Sequence, residues 1–207
     1  MSKKDLFIFD LDDTIIETSQ TIIDIYNDIV GKEELNLNDF LQFDHAHLVP
    51  AKYDVFSTII DNIQKGAFVH EQKFKPVCGV YDFFSQIVKE NEAVIITKRR
   101  NKYAIKEILK EVLPGFEDSP ILLVEGFKDK ANLIFQILDT EEDSYKNIYL
   151  FEDNPEVIKE MQKWVSNIKI YIRKRPWNHN IFTYLAYRSP DSVYFSDYYQ
   201  LLKSWEV

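Results

Sequence analysis

Residues 6–15 read LFIFDLDDTI. Leu6, Phe7, Ile8 and Phe9 form an apolar run with the length and composition of a strand buried on both faces. Carboxylates follow at Asp10, Asp12 and Asp13, with Thr14 directly after them. Two readings of this acidic step are open: a solvated turn that caps the next helix, or a reaction centre delivered by the end of a buried strand. The rest of the chain weighs between them.

Four more runs of this kind punctuate the sequence: AVIIT at 93–97, ILLVE at 121–125, IYLFE at 148–152 and IKIYI at 168–172. Segments with helical spacing separate the later ones, clearest in YAIKEILKEVL at 103–113, NLIFQIL at 132–138 and PEVIKEMQKWV at 155–165, the last opening on Pro at a first turn. The alternation predicts an α/β fold, an open parallel sheet flanked by helices. Ligands of such sheets collect at the carboxyl ends of the strands. Asp10, Thr97, Glu152 and Asp153 all fall at those ends.

Between the first and second runs lie roughly 80 residues, far more than one crossover needs. TIIDIYNDIV at 21–30 and YDVFSTIIDNIQ at 53–64 are helical in pattern. Residues 18–74 are therefore predicted to form an inserted, mostly helical subdomain on a core made of 1–17 and 75–207. Rooted beside the acidic loop, it can close over that loop and exclude water; the alternative is that it extends the main core. The tail, 185–207, predicts a turn and a final amphipathic helix whose aromatics serve the core or a dimer contact.

Composition limits the function. A net charge of -9 and a pI near 5.0 repel a phosphate-rich polymer, so long nucleic acid is not an expected partner. The sequence shows no secretory signal pattern and no run approaching the length of a membrane span, which predicts a cytoplasmic protein, monomeric or homodimeric. Cys78 is the sole cysteine, which excludes an intrachain disulfide and a multi-cysteine zinc site.

Two acids two residues apart can divide labour, one as nucleophile and metal ligand, the other as proton donor to a leaving oxygen. At Thr97, in IITKRR, a hydroxyl can hydrogen-bond a phosphoryl oxygen while Lys98, Arg99 or Arg100 adds positive charge; the alternative is a helix cap and a solvated charge run. Lys128 and Lys130, in GFKDKANLIFQIL, sit at a helix start, where a lysine can neutralise both carboxylate and phosphate. Glu152 and Asp153 add a third acidic element, which would complete an oxygen-rich Mg2+ site.

These four elements in this order resemble the haloacid dehalogenase superfamily. The first motif falls on Asp10, Asp12 and Thr14, the second on Thr97, the third on Lys130 with Lys128 as competitor, and the fourth on Asp153, with Glu152 where many members have Gly or another acid. The resemblance implies a Rossmann-like core with a helical C1 cap at 18–74. It also implies that Asp10 attacks phosphorus to form an aspartyl-phosphate, that Asp12 protonates the leaving oxygen and later activates water, and that Thr97 and Lys130 hold the phosphoryl group. Mg2+ would be held by the Asp10 side chain, the Asp12 carbonyl and Asp153. An acid at position 12 argues for phosphate-ester hydrolysis over dehalogenation.

Residues 66–80 and 172–180 are similar to the cap exit and the PWN segment of 5'(3')-deoxyribonucleotidases, although Asp13 and Thr14 stand where those enzymes usually carry Gly and Val. On that branch Phe43 or Phe68 would stack on a base, the alternative being core packing. The expected substrate is a small phosphomonoester, a nucleoside or deoxynucleoside monophosphate in the finer reading; sugar-phosphate hydrolysis, nucleic-acid terminal phosphate removal and a non-catalytic phosphate-binding module are the alternatives. Arg99, Trp177 and Asn178 are candidate substrate-site residues, with turn packing the other reading of the last two. Arg173, Lys174 and Arg175 read as a solvated basic end, and His45 and His47 as a weaker metal pair than the oxygen site.

Overall fold

The computed structural model describes residues 3–42, 47–68, 71, 73–141, 144–164, 168–178 and 192–205. The acidic loop's strand, β1 (Lys4–Phe9), lies inside a six-stranded sheet in which every neighbouring pair is parallel. The other strands are β2 (Glu92–Thr97), β3 (Ile121–Leu123), β4 (Tyr145–Glu152), β5 (Ile168–Arg173) and β6 (Val193–Phe195), in the order β3-β2-β1-β4-β5-β6. The five apolar runs are the first five strands. β6, VYF, is three residues long and carries too little pattern to be legible in the sequence.

Alternation along the strands sorts the core into two layers. Phe7 and Phe9 face one side with Tyr149, Phe151 and Tyr171, where α3 (Val80–Phe83, continued by a π-helical turn through Val88), α4 (Lys102–Val112) and α7 (Tyr198–Trp205) pack. Leu6 and Ile8 face the other side with Val94, Ile96, Leu150 and Ile170, covered by α5 (Phe127–Glu141) and α6 (Pro155–Trp164). The first layer is aromatic: the rings of Phe9 and Phe151 stack at 4.5 Å and those of Phe151 and Tyr171 at 4.8 Å. Trp205 lies 5.9 Å from Phe7, so this tail aromatic is a core residue.

Between β1 and β2 the chain forms α1 (Thr18–Val30), a short 3-10 turn (Leu37–Asp39) and α2 (Pro50–Gln64), an inserted helical subdomain. α1 ends on Gly31, whose φ of 71° closes the helix in the left-handed region where a Cβ is costly. The outgoing and returning segments are tied side by side: Glu17 N donates to Lys75 O, Val77 N donates to Ile15 O, and Ile16 and Pro76 form an antiparallel bridge. The cap's root is thereby pinned next to Asp10–Asp13. Phe43 and His45 lie outside the described residues. His47 lies 2.8 Å from the Asp39 carbonyl oxygen and takes no part in an acidic cluster.

β1 and β4 are neighbours, and from them the strands wind outward in opposite directions, giving a topological switch point. Phe9 pairs with Phe151, so the residues that follow, Asp10 and Glu152, emerge side by side. This is the crevice in which open α/β sheets hold ligands.

Candidate active site

Four strand ends and one helix start bring the site together. Asp10 follows β1 and donates its backbone N–H to Phe151 O at 2.9 Å, which locks the loop to β4. Lys130 lies one turn into α5; its ammonium contacts Asp10 Oδ1 and lies 2.7 Å from Glu152 Oε2. Both Lys130 and Glu152 are buried. Lys128, on the same helix, is exposed.

Glu152 is fully engaged. Oε1 accepts the backbone N–H groups of Asp153 and Asn154, and Oε2 faces Lys130, so this acid orients the lysine and the β4–α6 turn. Asp153 follows it and accepts from Trp177 Nε1 at 3.1 Å on Oδ2, while Asn178 Nδ2 donates to Asp153 O at 3.0 Å and to Arg173 O at 2.7 Å. Trp177 and Asn178 thus fix Asp153; Trp177 lines the cavity, Asn178 does not.

Asp12 is turned the other way. Arg99 Nε and Nη2 donate to its Oδ1 at 3.0 and 2.7 Å, and Thr18 Oγ1, at the first position of the cap helix, donates to the same oxygen at 2.5 Å. Arg99 is buried, with its guanidinium over the Phe74 ring at 4.7 Å; the solvated charge run therefore does not hold for this residue. Thr97, at the end of β2, is buried and its hydroxyl accepts the Arg99 backbone N–H at 3.2 Å; it is not among the residues that line the cavity.

Arg173 and Arg175 are not a solvated end. Both are buried, and only Lys174 is exposed. Arg175 Nη2 donates to Asp13 Oδ1 at 2.8 Å and pairs with Glu17, which also pairs with Arg173; Arg173 Nη1 donates to Asp13 O at 2.6 Å. Asp13 sits at a φ of 56° and accepts from Ser19 N and Oγ. This network welds the acidic loop to the cap root and the end of β5. No sequence signal links its members, because Asp13 and Arg175 are 162 residues apart.

The charges explain the protonation behaviour. Burial pushes the Asp10 carboxyl well above its ordinary range, and neighbouring Glu152 and Asp12 add to this against the opposing pull of Lys130. Asp153 is likewise raised, by burial and then by Asp13, Glu152 and Asp10. For Asp12 burial also acts upward, but the Arg99 guanidinium outweighs it and holds the carboxyl below its usual value. Burial alone would depress Lys130; Asp10 and Glu152 overrule it and keep the ammonium protonated.

Asp10, Glu152 and Asp153 present oxygens within 4.8 Å of one another. The connected acids Asp10, Asp12, Asp13, Glu17, Glu152 and Asp153 outnumber the cations Arg99, Lys130, Arg173 and Arg175 by two formal charges. An all-oxygen donor set with that surplus fits a hard divalent cation such as Mg2+. Above it lies a cavity of about 330 Å³ whose roof is supplied by the cap through Ile22, Ile60, Ile63 and Gln64 and whose side carries Lys98 and Phe127. Phe68 is not part of this wall and packs against the core.

No protein-family model matches the chain, and no curated protein is detectably similar to it. Solved structures are similar over its whole length. A haloacid dehalogenase-like family protein of Streptococcus pneumoniae superposes with a TM-score of 0.61 at 13% identity, covering 98% of each chain. A haloacid dehalogenase-type hydrolase of Bacillus subtilis bound to magnesium gives 0.58 at 14% identity, covering 100% of each. A Haemophilus somnus protein described as a predicted phosphoglycolate phosphatase gives 0.61 at 13% identity, covering 98% of each. The chain has the haloacid dehalogenase-type fold, a parallel Rossmann-like sheet flanked by helices with a helical cap inserted after its first strand.

Proposed function

We propose that the protein is a Mg2+-dependent phosphomonoesterase that acts through an aspartyl-phosphate on a small substrate enclosed by the cap. One observation carries this reading: Asp10, Lys130, Glu152 and Asp153 converge at the switch point, with Asp12 beside them on the wall of a roofed cavity. A binding module needs an anion site, but two differently tuned carboxylates serve chemistry.

In the first half-reaction an Asp10 oxygen bonds to phosphorus as the P–O bond to the leaving group breaks, and Asp12, carrying the proton it takes from water in the second half-reaction, passes it to the departing oxygen. In the second, Asp12 takes a proton from water as that water attacks the phosphoryl group, releasing inorganic phosphate and restoring Asp10. The Arg99 pair favours the ionised Asp12 needed for this second half. Lys130 stays protonated beside Asp10 and compensates the charge of the transferred group. Asp10 and Asp153 would hold Mg2+, which would supply further compensation for the charge of the phosphoryl group. Trp177 and Asn178 orient Asp153 for that role, and the cap helices exclude bulk water.

The apolar roof accepts a leaving group with apolar surface, and a nucleoside or deoxynucleoside monophosphate is the finer candidate, supported by the likeness of residues 66–80 and 172–180 to deoxyribonucleotidases. Release of inorganic phosphate should require Mg2+, and Asp10→Asn should lower it on the order of 10³-fold or more. A folded Asp10→Asn protein with full activity overturns Asp10 as nucleophile. Equal, feeble turnover of nucleotides and sugar phosphates removes the nucleotide reading while leaving the chemistry.

A further inference from the structure

The cavity cations differ in their partners. Lys130 is held by Asp10 and Glu152, and Arg99 by Asp12. Lys98 also lines the cavity, half-buried, yet no described carboxylate lies within ion-pair distance of it, in a chain with 34 acidic residues. Its ammonium is instead fixed 3.9 Å from the centroid of the Phe127 ring, a geometry that orients the cation without neutralising it.

The position of Phe127 says what this charge can reach. Phe127 opens α5 and Lys130 comes three residues later, so the two share a face about 4.5 Å apart along the helix axis. Both line the cavity. Lys130 marks where the transferred phosphoryl group sits, against Asp10. The Lys98 ammonium rests on the Phe127 ring, outside ion-pair distance of Asp10, in the same cavity under the apolar roof of Ile22, Ile60 and Ile63 that encloses the leaving group.

We propose that Lys98, braced on Phe127, is a subsite for a second anionic group, and that the substrate is a phosphomonoester whose leaving group carries a carboxylate or another phosphate. This rests on the phosphatase reading and competes with its nucleotide candidate, because a simple nucleoside monophosphate has no such group. Lys98 acts on specificity; the bond-making carboxylate remains Asp10.

The test uses three phosphates on one three-carbon frame: propyl phosphate, 3-(phosphonooxy)propanoate and propane-1,3-diol bisphosphate. With the full chain and Mg2+, KM for the two doubly anionic compounds should lie about tenfold or more below that for propyl phosphate, the scale of one charge-assisted hydrogen bond. Lys98→Met, which keeps most of the apolar stem on Phe127, should erase most of that advantage. Whichever of the two compounds gains more identifies the anion. Equal KM values for all three in the wild type overturn the proposal. So does an equal rise for all three in Lys98→Met, which would assign Lys98 to the transferred phosphoryl group. Calorimetric binding of the same compounds to Asp10→Asn separates the two levels of inference: absent turnover by the wild type refutes the phosphatase reading, while the ranking of affinities still supports or overturns the subsite.

Discussion

Asp13 sets two local effects against each other, and Asp13→Gly tests which is larger. Its φ of 56° favours glycine, so the substitution should recover about 1 kcal/mol. Against this, the Asp13 carboxylate accepts from Ser19 N and Oγ and pairs with the buried Arg175 at 2.8 Å. Removing one partner of a buried pair costs about 3–5 kcal/mol. The lower part of that range applies because Arg175 keeps Glu17. Asp13→Gly should therefore lose about 2–3 kcal/mol, or roughly 5–10 °C in Tm for a chain of this size. Urea unfolding at pH 8 in EDTA measures it without a metal contribution. Asp13→Asn keeps the left-handed preference and a Ser19 acceptor, and combined with Arg175→Met in a double-mutant cycle should give a coupling of about 1–3 kcal/mol. An Asp13→Gly protein as stable as the wild type, with no coupling in the cycle, would refute the welded network.

Two further outcomes test the site without turnover. Trp177→Phe removes the N–H that holds Asp153 Oδ2, so the Mg2+ concentration needed for half of the metal-induced rise in Tm should increase about tenfold; an unchanged value would deny Trp177 its orienting role. Glu17 is part-buried, and burial acts to raise its carboxyl, but Arg173 and then Arg175 outweigh it and hold the pKa below the usual value. A depressed carboxyl stabilises the fold above its unfolded pKa and loses that contribution as pH falls through its folded pKa. The stability gap between wild type and Glu17→Gln should thus be largest near pH 7 and shrink below about pH 4; a gap that stays constant to pH 3 would show that the charge contributes nothing.

The strands and the positions of the candidate site residues are legible in the sequence. Leu6–Phe9 and the other four runs are legible because burial on both faces demands uninterrupted apolar residues over a length that only a strand fits. Asp10, Asp12, Lys130 and Asp153 could be singled out because each sits at a fixed offset from such an element. Partnerships between these positions are set by distance in space, so tertiary structure alone decided them. In a window of ten residues Arg99 is one candidate among three adjacent cations, and Arg175 reads as part of a solvated basic end. Each is buried against a carboxylate from the β1 loop, 87 residues away for Arg99 at the end of β2 and 162 for Arg175 beyond β5. Lys98 and Arg99 are adjacent cations in the chain, and only the fold gives one a carboxylate and leaves the other facing an aromatic ring.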